Sequence, residues 1–174
     1  IVGPSLVNQK GFYLIDDTGI IAVRVDDADI LKTISIGNEI VIRGKRSSAK
    51  GAQICVDSGV VLTNKFGDNE YNTDHFITNK TITDMVGVSG MEHTAEAYIV
   101  KATVQYSKNY SLSDGTSSLL LYSGGASQYA FLDEFVDKEV TLEVAICDWN
   151  SKGNKGCVLA VYTDDGKIIN SLNF

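Results

Sequence analysis

The chain has 174 residues, 44% of them hydrophobic, and a formal net charge of −7. This length suits one large domain or two small ones, and the acidic charge argues against a general nucleic-acid binder because phosphate needs positive potential. No apolar run is long enough to cross a bilayer, so we expect no membrane insertion in this segment. The chain begins with Ile1 and not with methionine, and we expect any targeting sequence to lie outside it.

Residues 1–62 have the pattern of short strands separated by turns. A first strand is predicted at Leu6 and Val7, which lie outside the residues that the structure describes. Alternating apolar residues predict strands over 12–16 and 20–25, and the acidic start of 26–32 predicts a helical turn. A turn before Glu39 leads into a strand over 40–44, a polar loop over 45–51 and a strand over 52–56. Five short strands with regular turn signals predict a small barrel.

The remainder of the chain divides into a connection and a second set of strands. Residues 63–96 are polar and turn-rich at first, and then predict a short helix capped by Asn79 or Thr81. Residues 97–174 predict a strand over 98–104, a hairpin over 110–122, a helical turn over 129–135, and strands over 140–147 and 158–162.

One strand–turn–strand motif occurs twice, about a hundred residues apart. It reads Phe-Tyr-Leu-Ile-Asp-Asp-Thr-Gly over 12–19 and Tyr-Ser-Leu-Ser-Asp-Gly-Thr-Ser over 110–117. The turn before Glu39 likewise has a counterpart before Glu139. These agreements predict two similar domains, 1–62 and 97–174, joined by a connecting segment over 63–96, with Leu14 equivalent to Leu112 and Glu39 to Glu139.

The order of these elements resembles the oligonucleotide/oligosaccharide-binding (OB) barrel, in particular the modules of secreted or surface-anchored bacterial nucleases, phosphatases and lipoproteins. A Gly-Phe-Tyr-Ile-Gln-Asp-Gly-Thr-Gly hairpin is common there, and residues 11–19 read Gly-Phe-Tyr-Leu-Ile-Asp-Asp-Thr-Gly. The second copy departs from this motif at Tyr110 and Ser117. The resemblance implies an all-β protein of two tandem five-stranded Greek-key barrels with a partly helical connection, in a larger extracellular or cell-envelope protein.

Period-two alternation assigns the side chains of both hairpins to two faces. We expect one set to fill the barrels: Phe12, Leu14, Ile21 and Val23, and Tyr110, Leu112, Leu119 and Leu121. The other set would form the outer face of strands 2 and 3, where OB folds bind oligomers: Tyr13, Ile15, Ala22 and Arg24, and Ser111, Ser113, Leu120 and Tyr122.

Basic residues concentrate in loops that would flank this face. The candidate ligand-binding residues are Lys10, Tyr13, Arg24, Lys45, Arg46, Lys50, Lys108, Tyr122, Trp149, Lys152 and Lys155. Trp149 can stack on a base or a sugar ring, so the ligand would be a single-stranded nucleic acid or an oligosaccharide. The alternative is that lysines at hairpin tips serve solubility alone.

Catalysis finds little support in the sequence. The two histidines, His75 and His93, lie in the connection, and no nucleophile elbow or phosphate loop is present. Carboxylates at tight turns, such as Asp16 and Asp114, usually accept backbone N–H bonds, which favours a structural role over metal binding. We therefore expect a non-enzymatic module without cofactor or metal, which presents a ligand to an adjoining catalytic domain or serves as a structural or protein-interaction module.

The three cysteines leave two interpretations open. Cys147 and Cys157 flank a Gly/Asn-rich stretch and can face each other across a hairpin as a disulfide, with Cys55 left over. The favoured interpretation is three small, partly buried thiols.

Overall fold

The computed structural model describes residues 1–5, 10–47, 53–56, 61–87, 96–122, 126–148 and 154–171. Most of these residues lie in strands, which confirms the all-β class. The first half contains seven strands: β1 (Val2–Ser5), β2 (Gly11–Asp16), β3 (Gly19–Val25), β4 (Glu39–Ile42), β5 (Lys45–Ser47), β6 (Gln53–Val56) and β7 (Val61–Lys65). The second half contains six: β8 (Ala97–Tyr106), β9 (Tyr110–Ser113), β10 (Ser118–Leu120), β11 (Glu139–Asp148), β12 (Lys155–Thr163) and β13 (Gly166–Ile169).

The strands form three sheets. The first has the order β1-β2-β3-β6-β5, in which β3 and β6 run parallel, and β4 pairs with β7 in a separate ribbon. The six-stranded sheet of the second half has the order β10-β9-β8-β11-β12-β13. One prediction was wrong here: Lys45–Ser47 is a strand where a loop was expected. Strand β7, at Val61–Lys65, begins in the predicted first domain and ends in the predicted connection.

The two halves share the register of their first hairpins. Leu14 pairs with Val2 on one side, and Leu112 pairs with Val104 in the same way. Across the hairpin, Leu14 faces Ile21 and Leu112 faces Leu119. The hydrogen-bonded register therefore makes Leu14 and Leu112 equivalent, as the sequence repeat predicts.

The turn that precedes Glu39 and Glu139 is also repeated. Gly37 and Asp137 both have left-handed backbones, with φ of 88° and 63°. Gly37 N–H donates to the Val2 carbonyl at 2.9 Å, and Asp137 N–H donates to the Val104 carbonyl at 2.8 Å. Each turn thus bonds to the first strand of its half, and a new strand begins two residues later.

Three helical segments lie between the strands, each at a predicted place. The N-cap of α1 (Ala28–Leu31) is Asp27, whose carboxylate accepts the N–H groups of Asp29 and Ile30. At α2 (Ile82–Gly87), Thr81 and Asp84 exchange hydrogen bonds, which confirms Thr81 as a cap. A 3-10 segment, kinked at Tyr129, covers Ala126–Phe135.

Each half has its own core, and the predicted inward sets occupy them. Phe12 and Val23 are fully buried in the first, with Leu14 and Ile21 packed against them. Leu112, Leu119 and Leu121 are buried in the second, and Tyr110 packs against it. Helix α2 joins this second core through Ile82 and Met85, so the end of the connection packs on the second half.

A third core lies between the halves, and it contradicts the expected exposed face of the first hairpin. Tyr13 and Ile15 are 3% and 1% exposed, and Ile20 and Ala22 pack beside them. They contact the outer side of the second sheet, whose buried members here are Ala97, Ala145, Cys147, Cys157 and Leu159. The outer face of β2 and β3 is therefore an interface within the chain and not a ligand surface.

Candidate functional site

The equivalent outer face of the second half is open. Gln105, Ser111 and Leu120 form a row across β8, β9 and β10, because Gln105 pairs with Ser111 and Ser111 with Leu120. A neighbouring row consists of Thr103, Ser113 and Ser118. The first row and Ser118 line a surface groove of about 680 Å³, which we call the outer groove; its other residues are Tyr106, Ser107, Lys108, Asn109 and Asp137.

Tyr106 supplies the exposed aromatic surface of the outer groove. Its residue exposure is 55%, and its ring lies 4.7 Å from that of Tyr110, tilted by 46°. The Tyr110 ring is itself fixed in place, because its hydroxyl donates a hydrogen bond to the Asp133 carboxylate. Burial and this hydrogen bond raise the pKa of Tyr110 to about 12. Tyr106 pairs with Tyr110, so its ring stands on the opposite face of the sheet from the Gln105–Ser111–Leu120 row and lines the outer groove from the end of β8.

The polar groups of the outer groove are mostly neutral. Hydroxyls and amides come from Ser111, Ser118, Gln105 and Asn109, and the charged side chains are one lysine, Lys108, and one aspartate, Asp137. Such a surface offers hydrogen-bond donors and acceptors without a net positive field. Its chemistry matches a hydroxyl-rich ligand better than a phosphate backbone.

Sequence reasoning predicted part of this groove and missed part of it. Lys108 was a candidate, and Ser111 and Leu120 were assigned to the outer face, whereas Tyr106 was overlooked. The signal was available: Tyr106 ends the alternating strand β8, immediately before the loop that carries Lys108.

Two other predicted residues are neighbours on the second half. The Lys155 ammonium lies 5.2 Å from the centre of the Tyr122 ring, and Tyr122 N–H donates to the Gly156 carbonyl at 2.9 Å. An isolated parallel bridge joins Leu121 to Gly156 beside them. Tyr122 also packs against the core between the halves, so it is only partly exposed.

The remaining candidates do not gather at one place. Tyr13 is buried, so it cannot contact a polymer on the surface. Arg24 forms an ion pair with Asp26 at 2.9 Å, and Lys10 is exposed just before β2. Lys45 and Arg46 are exposed on β5. Lys50, Trp149 and Lys152 lie outside the described residues.

The turn carboxylates have the structural role that was expected. Asp16 accepts the backbone N–H and the hydroxyl of Thr18 at 2.7 and 2.5 Å, which lowers its pKa. Asp114 accepts N–H groups from Ser117 and Thr116, and another from Thr83 in α2, and these bonds hold its pKa far below the usual range. Within the described ranges, no three His, Cys, Asp or Glu residues are grouped to hold a metal ion.

The buried cysteines are thiols. Cys147 and Cys157 lie on adjacent strands but are not bonded to each other, which confirms the favoured interpretation for this pair. Burial raises the pKa of the Tyr13 and Tyr129 phenols well above the usual value, and the Cys157 and Cys147 thiols nearby add to this effect. The side chain of Cys55 lies outside the described part.

His75 has a contact that sequence adjacency to Asp74 did not predict. Its Nε2 contacts the backbone carbonyl of Asp17, in the hairpin turn of the first half. The ring therefore links the connection to the first half, and the Asn72 side-chain oxygen caps a local turn by accepting the Asp74 N–H at 2.7 Å.

A second cavity, of about 780 Å³, lies where the halves meet, and we call it the junction cleft. Its walls are the turn at 36–37, the segment 68–71 and the hairpin of β12 and β13. Beside it the fully buried Glu143 accepts hydrogen bonds from Tyr71 at 2.6 Å, Tyr162 at 2.8 Å and Lys167 at 3.0 Å. The Lys167 ammonium also lies 3.9 Å from the centre of the Tyr71 ring.

Sequence reasoning did not single out Glu143. The available signal was one acid inside the otherwise apolar run 142–147 of β11, at a position of the same parity as Ala145 and Cys147. Burial and the neighbouring carboxylate raise the pKa of Tyr71 well above its usual value and that of Tyr162 to about 12. Both phenols are therefore neutral donors at pH 7.

No protein-family model matches the chain, and no curated protein sequence matches it. In the part of the chain that the structure describes, no helix has the length and apolar character needed to cross a membrane.

Proposed function

We propose that the chain is a non-catalytic binding module that holds a neutral oligosaccharide in the outer groove, within a larger secreted or envelope protein. The observation that carries this proposal is the contrast between equivalent faces. Tyr13 and Ile15 are apolar and buried where the first half packs, whereas their counterparts Ser111 and Ser113 are polar and partly exposed. A polar, open face with a supported aromatic ring is the usual surface for a sugar chain.

We further propose that each half is an OB-like Greek-key barrel. Three features support it: the parallel pairing of β3 with β6, the parallel bridge from Leu121 to Gly156, and the bonds that tie each turn before Glu39 and Glu139 to the first strand. Parallel contact between the third strand of each half and a later strand, β6 in the first half and β12 in the second, is absent from a simple antiparallel meander. The outer groove would then occupy the side of strands 2 and 3 that these barrels use for oligomers.

Single-stranded nucleic acid is the less favoured ligand. The outer groove contributes one lysine against one aspartate, and the chain carries a net charge of −7. Phosphate binding needs a surplus of positive charge along the path of the backbone. A neutral glycan meets no such electrostatic cost.

Calorimetric titration with neutral hexasaccharides, beside a twelve-nucleotide single strand, tests the proposal. We expect one sugar site per chain, because the first half's equivalent face is buried. Tyr106→Ala should weaken binding about two- to twelvefold, since an aromatic contact is worth roughly 0.5–1.5 kcal/mol. Phe66→Ala is the matched control, because Phe66 is 73% exposed outside the groove. Tighter binding of the oligonucleotide, or equal losses in both variants, would refute the proposal.

A further inference from the structure

At the edge of the second sheet, as far as the structure describes it, strand β13 borders the junction cleft. Among the described residues it pairs with β12 alone. Asn170 N–H donates to the Leu159 carbonyl at 2.8 Å, which fixes the antiparallel alternation. The backbone groups of Ile168 therefore point towards β12, and those of Lys167 and Ile169 point away from it. Lys167 and Ile169 both line the cleft.

The side chains around the cleft favour a ligand that carries positive charge. Asp68 and Glu70 lie on one wall and Asp164 on the other, and all three are exposed. The cation among the lining residues is Lys167, whose ammonium is paired with Glu143 and covers the Tyr71 ring. Ile36 and Ile169 add apolar surface.

We propose that the junction cleft binds an extended polypeptide segment with lysine or arginine side chains, which adds to β13 as a further strand. Its main chain would bond to the outward N–H and C=O groups of Lys167 and Ile169. Its basic side chains would reach Asp68, Glu70 and Asp164, and apolar ones would contact Ile36. A small polyamine matches the charge but leaves the backbone groups unpaired, which is why the geometry points to a polypeptide.

The experiment uses a fluorescein-labelled octapeptide of alternating Lys and Thr as the parent. In a second peptide the backbone amides of all Lys residues are N-methylated, and in a third those of all Thr residues. A strand added at one edge bonds through alternate residues. In anisotropy titrations, we expect one methylated peptide to bind at least tenfold more weakly and the other to bind nearly as the parent does. Tyr106→Ala should leave this binding unchanged, which separates it from the sugar proposal.

Charge variants complete the test. The triple variant Asp68→Asn/Glu70→Gln/Asp164→Asn should weaken peptide binding about tenfold, because each exposed ion pair contributes a modest factor. Asp29→Asn is the matched control, since Asp29 is 91% exposed in α1, away from the cleft. No binding of the parent peptide, equal binding of the two methylated peptides, or an equal loss in the control would overturn the proposal.

Discussion

Lys167→Met should destabilise the protein strongly, because it leaves the Glu143 carboxylate buried without a cation. Glu143 is fully buried, and the Lys167 side chain is 23% exposed at 3.0 Å from it. Removing one partner of such a pair typically costs 3–5 kcal/mol. Tyr71 and Tyr162 still donate to the carboxylate, so we expect about 3 kcal/mol. Methionine retains an apolar stem over the Tyr71 ring, which limits losses from packing.

The same substitution at an exposed pair is the control. Lys65 lies 3.3 Å from Glu39, with side-chain exposures of 78% and 60%. Lys65→Met should therefore lower the free energy of unfolding by no more than about 1 kcal/mol. Urea unfolding at pH 7, followed by far-ultraviolet circular dichroism, measures both variants. Equal losses would refute the reasoning, because burial would then have no influence on the cost.

A double variant separates charge from packing. Glu143→Gln removes the charge that Lys167→Met leaves uncompensated, while its amide oxygen can still accept from Tyr71. The free energy of unfolding of the double variant Glu143→Gln/Lys167→Met should therefore exceed that of Lys167→Met alone by at least about 1 kcal/mol. If the two losses simply add, the cost of Lys167→Met comes from lost contacts and not from a buried charge.

Three further predictions concern the second half and the thiols. Gly156→Ala should lower the free energy of unfolding, measured in thermal melts, by roughly 1–3 kcal/mol, because the added Cβ would lie 2.8 Å from Leu119 Cδ2. Gly87→Ala is the control and should change it very little, because nothing lies within 4 Å of the added Cβ. The pKa of Tyr162 is raised to about 12. The neutral phenol therefore contributes its full share to the free energy of unfolding below pH 10, and this contribution is lost as the pH rises towards 12. Tyr162→Phe should flatten that alkaline decline in urea midpoints, and an unchanged slope would contradict the assignment. The buried Cys147 and Cys157 should react with a thiol reagent only after unfolding, when all three cysteines titrate without reductant; fewer than three would indicate a disulfide.

The local structure could be predicted from the sequence because it depends on near neighbours. Period-two alternation identified the inward residues of both hairpins, and the repeated turn located the starts of β4 and β11 at Glu39 and Glu139. Asp27 and Thr81 were readable as caps because a cap acts within one helical turn. The all-β class followed from these elements together.

The arrangement of the halves could not be predicted in the same way. Alternation divides a strand into two faces but does not say what covers each face. Glu143 meets Tyr71 from the connection and Lys167 from the last hairpin, and no pattern of spacing links these positions. The contacts are long-range in sequence, so they become visible only when the sheets are packed.

The outer faces nevertheless carried a signal in their composition, and it explains the difference in packing between the halves. At equivalent positions the first half has Tyr13 and Ile15, where the second has Ser111 and Ser113. An apolar pair exposed on a strand is costly, so it indicates a face that packs against protein. Burying serine hydroxyls in such an interface would cost free energy. Serines at the same positions therefore indicate a face in contact with water. The repeat therefore gives the chain two copies of one strand arrangement, and side-chain polarity assigns the outer face of one copy to internal packing and that of the other to contact with water.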